Sequence, residues 1–301
     1  MLAFALLLSC GGAVAQKTVP KIGVSFSPAG LLTPFHIGAS EQLKKYKLID
    51  NDTALAGSSG GALAAATSAI GISAADAMFC SIYVAQRCRD EGPRLTLRKA
   101  LDKVLDDVLP NDAHEILNER NSRCYVAYAE VTPSLRQPLG PQFVYRYRDK
   151  QDLIEVLRAS CNIPFYFNGN NLGINVRGAY AVDGFFSTSL NRFGCPETGA
   201  TDREILVSPF SASLIGLTPE LTRPAGSNLV YDIISPDLLD RGTGGEWPFS
   251  TIDVIRMSFG APASKLNPGQ PISDAELEAT YEQLFEAGAA AVRKWYERTN
   301  L

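Results

Sequence analysis

The residues Gly57-Ser58-Ser59-Gly60-Gly61 match G-x-S-x-G, the spacing at which a strand turns sharply into a helix and presents a serine hydroxyl above the sheet. An apolar run, Thr53 to Ala56, precedes the pentapeptide, and the alanine-rich segment from Ala62 to Ala66 follows it. Ser59 is therefore the candidate nucleophile, with Ser58 the weaker alternative, and Gly57 and Gly61 are the small residues that relieve crowding at such an elbow. A helix starting beneath Ser59 adds unpaired N–H groups and a partial positive charge, which favour the oxyanion formed when a serine attacks an ester. A serine hydroxyl needs a base, and in the order nucleophile, acid, histidine that base lies late in the chain. Only His36 and His114 occur, and both read as structural. A carboxylate must then take the proton. Asp183, where the apolar run Tyr180-Ala181-Val182 meets Gly184, is the best placed by its local text.

The elements that must position these groups alternate. Residues 21–26 read as a short strand feeding the turn Ser27-Pro28-Ala29-Gly30, and His36 to Tyr46 as a helix packed by one face. The strand at 53–56, its tight turn and the following helix repeat the unit. Helices are expected over 73–89, 95–108 and 150–160, a helix start at Asn111-Asp112-Ala113-His114, and strands over 124–131, 142–147 and 205–207. Ser273 and Glu276 form a capping box, and an apolar stripe through Leu277, Tyr281, Leu284 and Trp295 predicts a helix over about 273–299 that docks on the body. Such alternation implies an α/β fold with a mostly parallel sheet covered by helices on both faces. Without internal repeats or linker text, residues 16–301 read as one domain.

The chain resembles the patatin-like phospholipase family. Four segments carry the resemblance in the family's order: residues 26–38, Gly57 to Gly61, Ala159-Ser160-Cys161-Asn162-Ile163-Pro164-Phe165, and Asp183-Gly184. The first and third are similar to the branch that includes animal triacylglycerol lipases and their plant and algal relatives. The resemblance implies a three-layer α/β/α fold that hydrolyses glycerolipid acyl esters with a Ser59–Asp183 dyad and no metal or other cofactor. It also implies that Ala29, Gly30 and Leu31 offer backbone N–H groups to the oxyanion. Two departures stand out in that loop: Pro28 replaces the first glycine and cannot donate, and Thr33 replaces the last. Phe185 follows Asp183-Gly184 where the family has glycine or alanine. Loss of one donor costs about 3 kcal/mol of transition-state stabilisation, so a lipid-binding protein with weak turnover is the alternative reading.

Composition narrows the partners. With 28 basic and 32 acidic residues the formal charge is -4, without the basic excess of a nucleic-acid-binding surface. Neither phosphate-cradling motif, G-x-x-x-x-G-K-[ST] nor G-x-G-x-x-G, occurs in residues 26–38, which argues against a nucleotide. The expected partner is a glycerolipid at a membrane or lipid-droplet surface; oligomeric state has no sequence signature here. Cys80, Cys88, Cys124, Cys161 and Cys195 show no zinc-type clustering, and Cys80 and Cys88 on one helix lie ~12 Å apart, too far for a disulfide. Residues 1–15, with the apolar run Leu2 to Leu8 and Ala13-Val14-Ala15, read as a secretory signal; the missing Lys or Arg before that run leaves an organellar segment or a misassigned start as the alternatives. Leu7-Leu8-Ser9-Cys10 is similar to a bacterial lipoprotein processing site. No later run reaches the ~18 apolar residues of a membrane span.

Overall fold

A computed structural model describes residues 21–132, 139–167, 169, 171–212, 228–242, 245–267 and 270–299. The expected leader at 1–15 and Cys10 lie outside the described residues. Eight strands form one sheet: β1 (Ile22–Phe26), β2 (Ala54–Ser58), β3 (Cys124–Val131), β4 (Leu139–Val144), β5 (Ile174–Val176), β6 (Ala179–Val182), β7 (Arg203–Val207) and β8 (Val230–Ile234). Their order is β5-β6-β3-β2-β1-β7-β8, with β4 also on β3. The pairs from β3 through β2, β1 and β7 to β8 are parallel, whereas β4, β5 and β6 join antiparallel. The parallel strands are short and apolar because both faces are covered by helices, which is why β2 and β7 are buried almost throughout. This is the α/β/α arrangement expected from the alternation.

The helices among the described residues are α1 (Thr33–Lys45), α2 (Gly60–Ile70), α3 (Ala74–Glu91), α4 (Thr96–Val108), α5 (Ala113–Glu119), α6 (Lys150–Ser160), α7 (Thr251–Phe259) and α8 (Asp274–Thr299). Two boundaries lie three residues from the sequence reading, and one expected cap is not made. Helix α1 starts at Thr33 rather than His36, because Pro34 sits in the first turn, where its missing N–H costs nothing. Strand β4 covers Leu139–Val144 instead of 142–147. The backbone of Tyr147 is held by the Asn118 side chain, whose Oδ1 accepts from Tyr147 N at 3.0 Å and whose Nδ2 donates to Tyr147 O at 2.7 Å. At α5, Asp112 occupies the N-cap position, yet its side chain makes no capping bond. Strands β5 and β8 and helix α7 were not legible.

The capping box of α8 is present: Ser273 N donates to Glu276 Oε2 at 3.2 Å, and Glu276 N to Ser273 Oγ at 3.3 Å. Helix α8 packs along α1, and the two backbones touch. A Cβ on Gly38 would lie 1.9 Å from Phe285 O, and one on Gly288 2.0 Å from Phe35 O. Phe35, Ala39 and Leu43 thereby bury against Leu284, Ala287 and Val292. We expect Gly288→Val to lower unfolding free energy by about 3 kcal/mol, since the overlap falls on backbone that cannot yield. Gly71→Ala, at φ +90° with open space around it, costs only ~1 kcal/mol of strain. Equilibrium denaturation of both variants measures the contrast.

Candidate active site

Ser59 stands alone between β2 and α2, with φ 53° and ψ −127°. That conformation is strained for a residue with a Cβ, at about 1–3 kcal/mol, and the surrounding turn enforces it. A Cβ on Gly57 would sit 2.1 Å from Gly61 O, and one on Gly61 2.3 Å from Ser27 O, so the chain can reverse this tightly only with glycine at both predicted positions. The Ser59 N–H donates to Ser160 Oγ at 2.8 Å, and that hydroxyl donates to Ala127 O at 2.6 Å. Ser58, the weaker candidate, is fully buried and gives its hydroxyl to Gly194 O at 2.6 Å.

Sheet register brings Asp183 to the serine. Strand β4 covers one edge of β3 from Val126 to Val131, and β2 covers the opposite edge up to Ser58 against Ala127. Strand β6 pairs with Ala129 and Glu130, so it lies on the β2 edge, running the other way. The two strands meet end to end, and Ser59 and Asp183 are the residues that leave them at the junction. Ser59 Oγ donates to Asp183 Oδ2 at 2.9 Å. Asp183 Oδ1 accepts from Phe185 N at 2.8 Å, and Asp183 N donates to Asn162 O at 2.9 Å. A Cβ on Gly184 would lie 2.4 Å from Ala127 O, which explains the glycine after the aspartate. Asp183 is 1% exposed, and its burial pushes the carboxyl up to about 7 against the two hydrogen bonds that favour its charge.

The loop from Ser27 to Leu32 crosses the start of α2. Gly30 has φ +55° and its Cβ position is filled by Ser258 O at 1.8 Å. Leu32 N donates to Ala29 O at 3.0 Å, turning the backbone of Gly30 and Leu31 into a single 3-10 turn beside Ser59. Thr33, a departure from the family pattern, donates its hydroxyl to Gly30 O at 2.8 Å and fixes that turn. Pro28 packs against Gly194, whose Cβ would meet the ring at 2.7 Å. His36 is buried beneath the loop with Nε2 2.9 Å from Ser27 O. Burial holds its imidazole down to about 4, so it is neutral and anchors the loop. His114 faces only Glu115 Oε1 at 3.8 Å. Neither histidine is bonded to Ser59.

Ser59 opens onto two apolar spaces. An inner chamber runs between α2, α3 and α4, and an outer cavity is lined by Pro28, Asp183, Phe185 and Phe186. Among the described residues no cluster of metal-ligating side chains exists, and no helix is long and apolar enough to cross a membrane. Sequence reasoning missed Ser160 and Asn162 as supports of Ser59 and Asp183, although both lie in the segment 159–165 that carried the resemblance. The Ser160 hydroxyl donates to Ala127 O and the Asn162 Nδ2 to Ala181 O, roles visible only once the strands are assembled.

The family model described as patatin-like phospholipase matches residues 24–191, more than half of the chain. The chain belongs to the patatin-like phospholipase family. It is 30% identical over 213 residues to human patatin-like phospholipase domain-containing protein 5, covering 67% of this chain and 44% of that protein. To mouse patatin-like phospholipase domain-containing protein 2 it is 28% identical over 198 residues, covering 64% and 37%. The chain thus spans less than half the length of these two relatives. Among solved structures, VipD from Legionella pneumophila aligns with TM-score 0.41 and 11% identity, over 92% of this chain and 67% of that one.

Two outcomes follow for this patatin-like site. The raised carboxyl of Asp183 favours its protonated form in the fold, so the site costs nothing below pH ~4, costs progressively more as pH climbs to about 7, and stays costly above. Asp183→Asn, which can give its amide to Ser59 Oγ, should therefore be more stable than the parent by roughly 2–4 kcal/mol at pH 8 and equal to it near pH 4. Ser160→Ala should lose about 1–3 kcal/mol at any pH, because it strands the buried Ser59 N–H. Denaturant titrations across pH measure both.

Proposed function

We propose that this chain is a lipid acyl hydrolase that releases fatty acid from glycerolipid esters through an acyl-enzyme on Ser59. The observation that carries the reading is the 2.9 Å hydrogen bond from Ser59 Oγ to a buried Asp183 carboxylate, at the meeting point of two apolar cavities. In the first half-reaction Ser59 Oγ bonds to the ester carbonyl carbon as its proton passes to Asp183. The carbonyl oxygen becomes an oxyanion beside the N–H groups of the Ala29, Gly30 and Leu31 turn. The bond to the alcohol oxygen then breaks, and Asp183 returns the proton to that oxygen. In the second half-reaction water gives a proton to Asp183 and adds its oxygen to the acyl carbon; the bond to Ser59 Oγ breaks, and the proton returns to Ser59. No step calls on a metal or other cofactor.

Two features support a two-residue mechanism. The carboxyl of Asp183, raised to about 7, is a far stronger base than an exposed aspartate, and nearly the strength a neutral-pH general base needs. The strained elbow holds Ser59 in one orientation, so no rotation or ordering is required before attack. The lipid surface as the place of action is supported by the rim of the outer cavity, where Phe185, Phe186, Leu190, Ile255 and Phe259 are each between 43% and 55% exposed. So many large apolar side chains around one opening suit a lipid interface better than water.

A fluorophosphonate probe tests the nucleophile: stoichiometric labelling of the parent and none of Ser59→Ala is expected, whereas an unlabelled parent returns the weak lipid-binding reading. Fatty-acid release from glycerolipid vesicles should fall at least ~10³-fold in both Ser59→Ala and Asp183→Asn. Because the base must be ionised, kcat/KM should rise with pH through about 7 and level off above it. A rate independent of pH between 5 and 9 would contradict the assignment of Asp183.

A further inference from the structure

The two cavities that meet at Ser59 are not equivalent, and their difference assigns the two halves of the substrate. Asp183 lines the outer cavity and does not line the inner chamber. The carboxyl must protonate the departing alcohol and later deprotonate a water, so both approach from the outer side. The acyl chain, bonded to Ser59 throughout, is left with the other direction. We propose that the inner chamber is the acyl-binding site, and that its length along three helices sets the preferred chain length; the assignment rests on the hydrolase reading above.

The chamber has the shape this requires. Helix α3 presents Ala77, Cys80, Ser81, Val84 and Cys88 to it, and α4 presents Leu97, Leu101, Val104, Leu105 and Val108. Each set follows one helical face, recurring every three or four residues, over eleven helical steps. Helix α2 adds Gly60, Leu63, Ala64 and Thr67, beginning next to Ser59. The hydroxyls of Ser81 and Thr67 are turned back to Ala77 O and Leu63 O, so they present no unmet polarity to an alkyl chain.

The near and far ends can be told apart. Leu95 N, just before α4, donates to Tyr166 O, and Cys161 and Ile163 line the same end beside Ser59. At the other end α2 finishes at Ile70, and Ile72 and Ala77 close the corner between α2 and α3. Eleven helical positions rise ~16 Å, the extended length of roughly a dozen methylenes. Ala77 is the smallest side chain at the far end and is only half-buried, so a larger residue there shortens the chamber without disturbing the core.

The test uses p-nitrophenyl esters from butanoate to octadecanoate with the full chain, Ala77→Phe and Phe186→Ala. For the parent, kcat/KM should climb to about the dodecanoyl or tetradecanoyl ester and then level off. In Ala77→Phe the ratio of tetradecanoyl to hexanoyl kcat/KM should fall about tenfold or more, since the lost methylene contacts are multiplicative. In Phe186→Ala, an outer-cavity change, that ratio should keep its parental value. A parallel measurement needs no turnover: displacement of cis-parinaric acid from Ser59→Ala by fatty acids of the same lengths, with and without Ala77→Phe. If esters are cleaved but neither profile moves with Ala77→Phe, or the ratio moves with Phe186→Ala instead, the chamber assignment is overturned and hydrolysis stands. If no ester is cleaved yet the displacement profile shortens with Ala77→Phe, the chamber stands and the hydrolase reading fails. Absence of both overturns both.

Discussion

A carboxylate enclosed by protein, with one backbone N–H and one serine hydroxyl as its donors, is the constraint on which this structure turns. Charging Asp183 is unfavourable where it sits, and in the proposed mechanism that same cost supplies the basicity that draws the proton from Ser59. A more generous set of donors would settle the charge and remove the basicity. The backbone around the group is held closely: Asn162 takes the Asp183 N–H through its carbonyl, and Gly184 lets the chain pass within reach of Ala127.

Ser59, the proposed nucleophile, carries a second cost in its positive-φ backbone. Its neighbours make that conformation unavoidable, because Gly57 and Gly61 approach each other and the Ser27 carbonyl more closely than any Cβ allows. The support then spreads outward. Ser160 fixes the serine's own N–H, His36 holds the loop that crosses above, and Thr33 locks the turn at Gly30. Each of these polar groups is spent on the backbone, whereas the Ser59 hydroxyl is bonded to the Asp183 carboxyl at the cavity wall.

Much of this was legible in the amino-acid order, and for local reasons. The elbow declares itself because glycine, serine and a following alanine-rich helix are contiguous, and the parallel strands because burial on both faces makes them uniformly apolar. The exclusion of a histidine base needed only an inventory. What could not be read depends on assembly. Strand β5 has three residues and β8 carries Tyr231 and Asp232 in its middle, so neither shows the pattern of a buried strand. Helix α7 turns Ile252, Ile255 and Phe259 outward, the reverse of the amphipathic rule used to find helices. The supporting roles of Ser160 and Asn162 exist only relative to strands far away in sequence.

The end-to-end meeting of β2 and β6 on one edge of β3 has an architectural corollary. The reactive atoms belong to residues 124 positions apart, yet their separation is set by a few ladder bonds to a shared third strand. Helices α3 to α5 lie in the excursion between them and add no rung to that junction. The walls of the inner chamber that α3 and α4 supply are thereby structurally separate from the strands that hold Ser59 against Asp183.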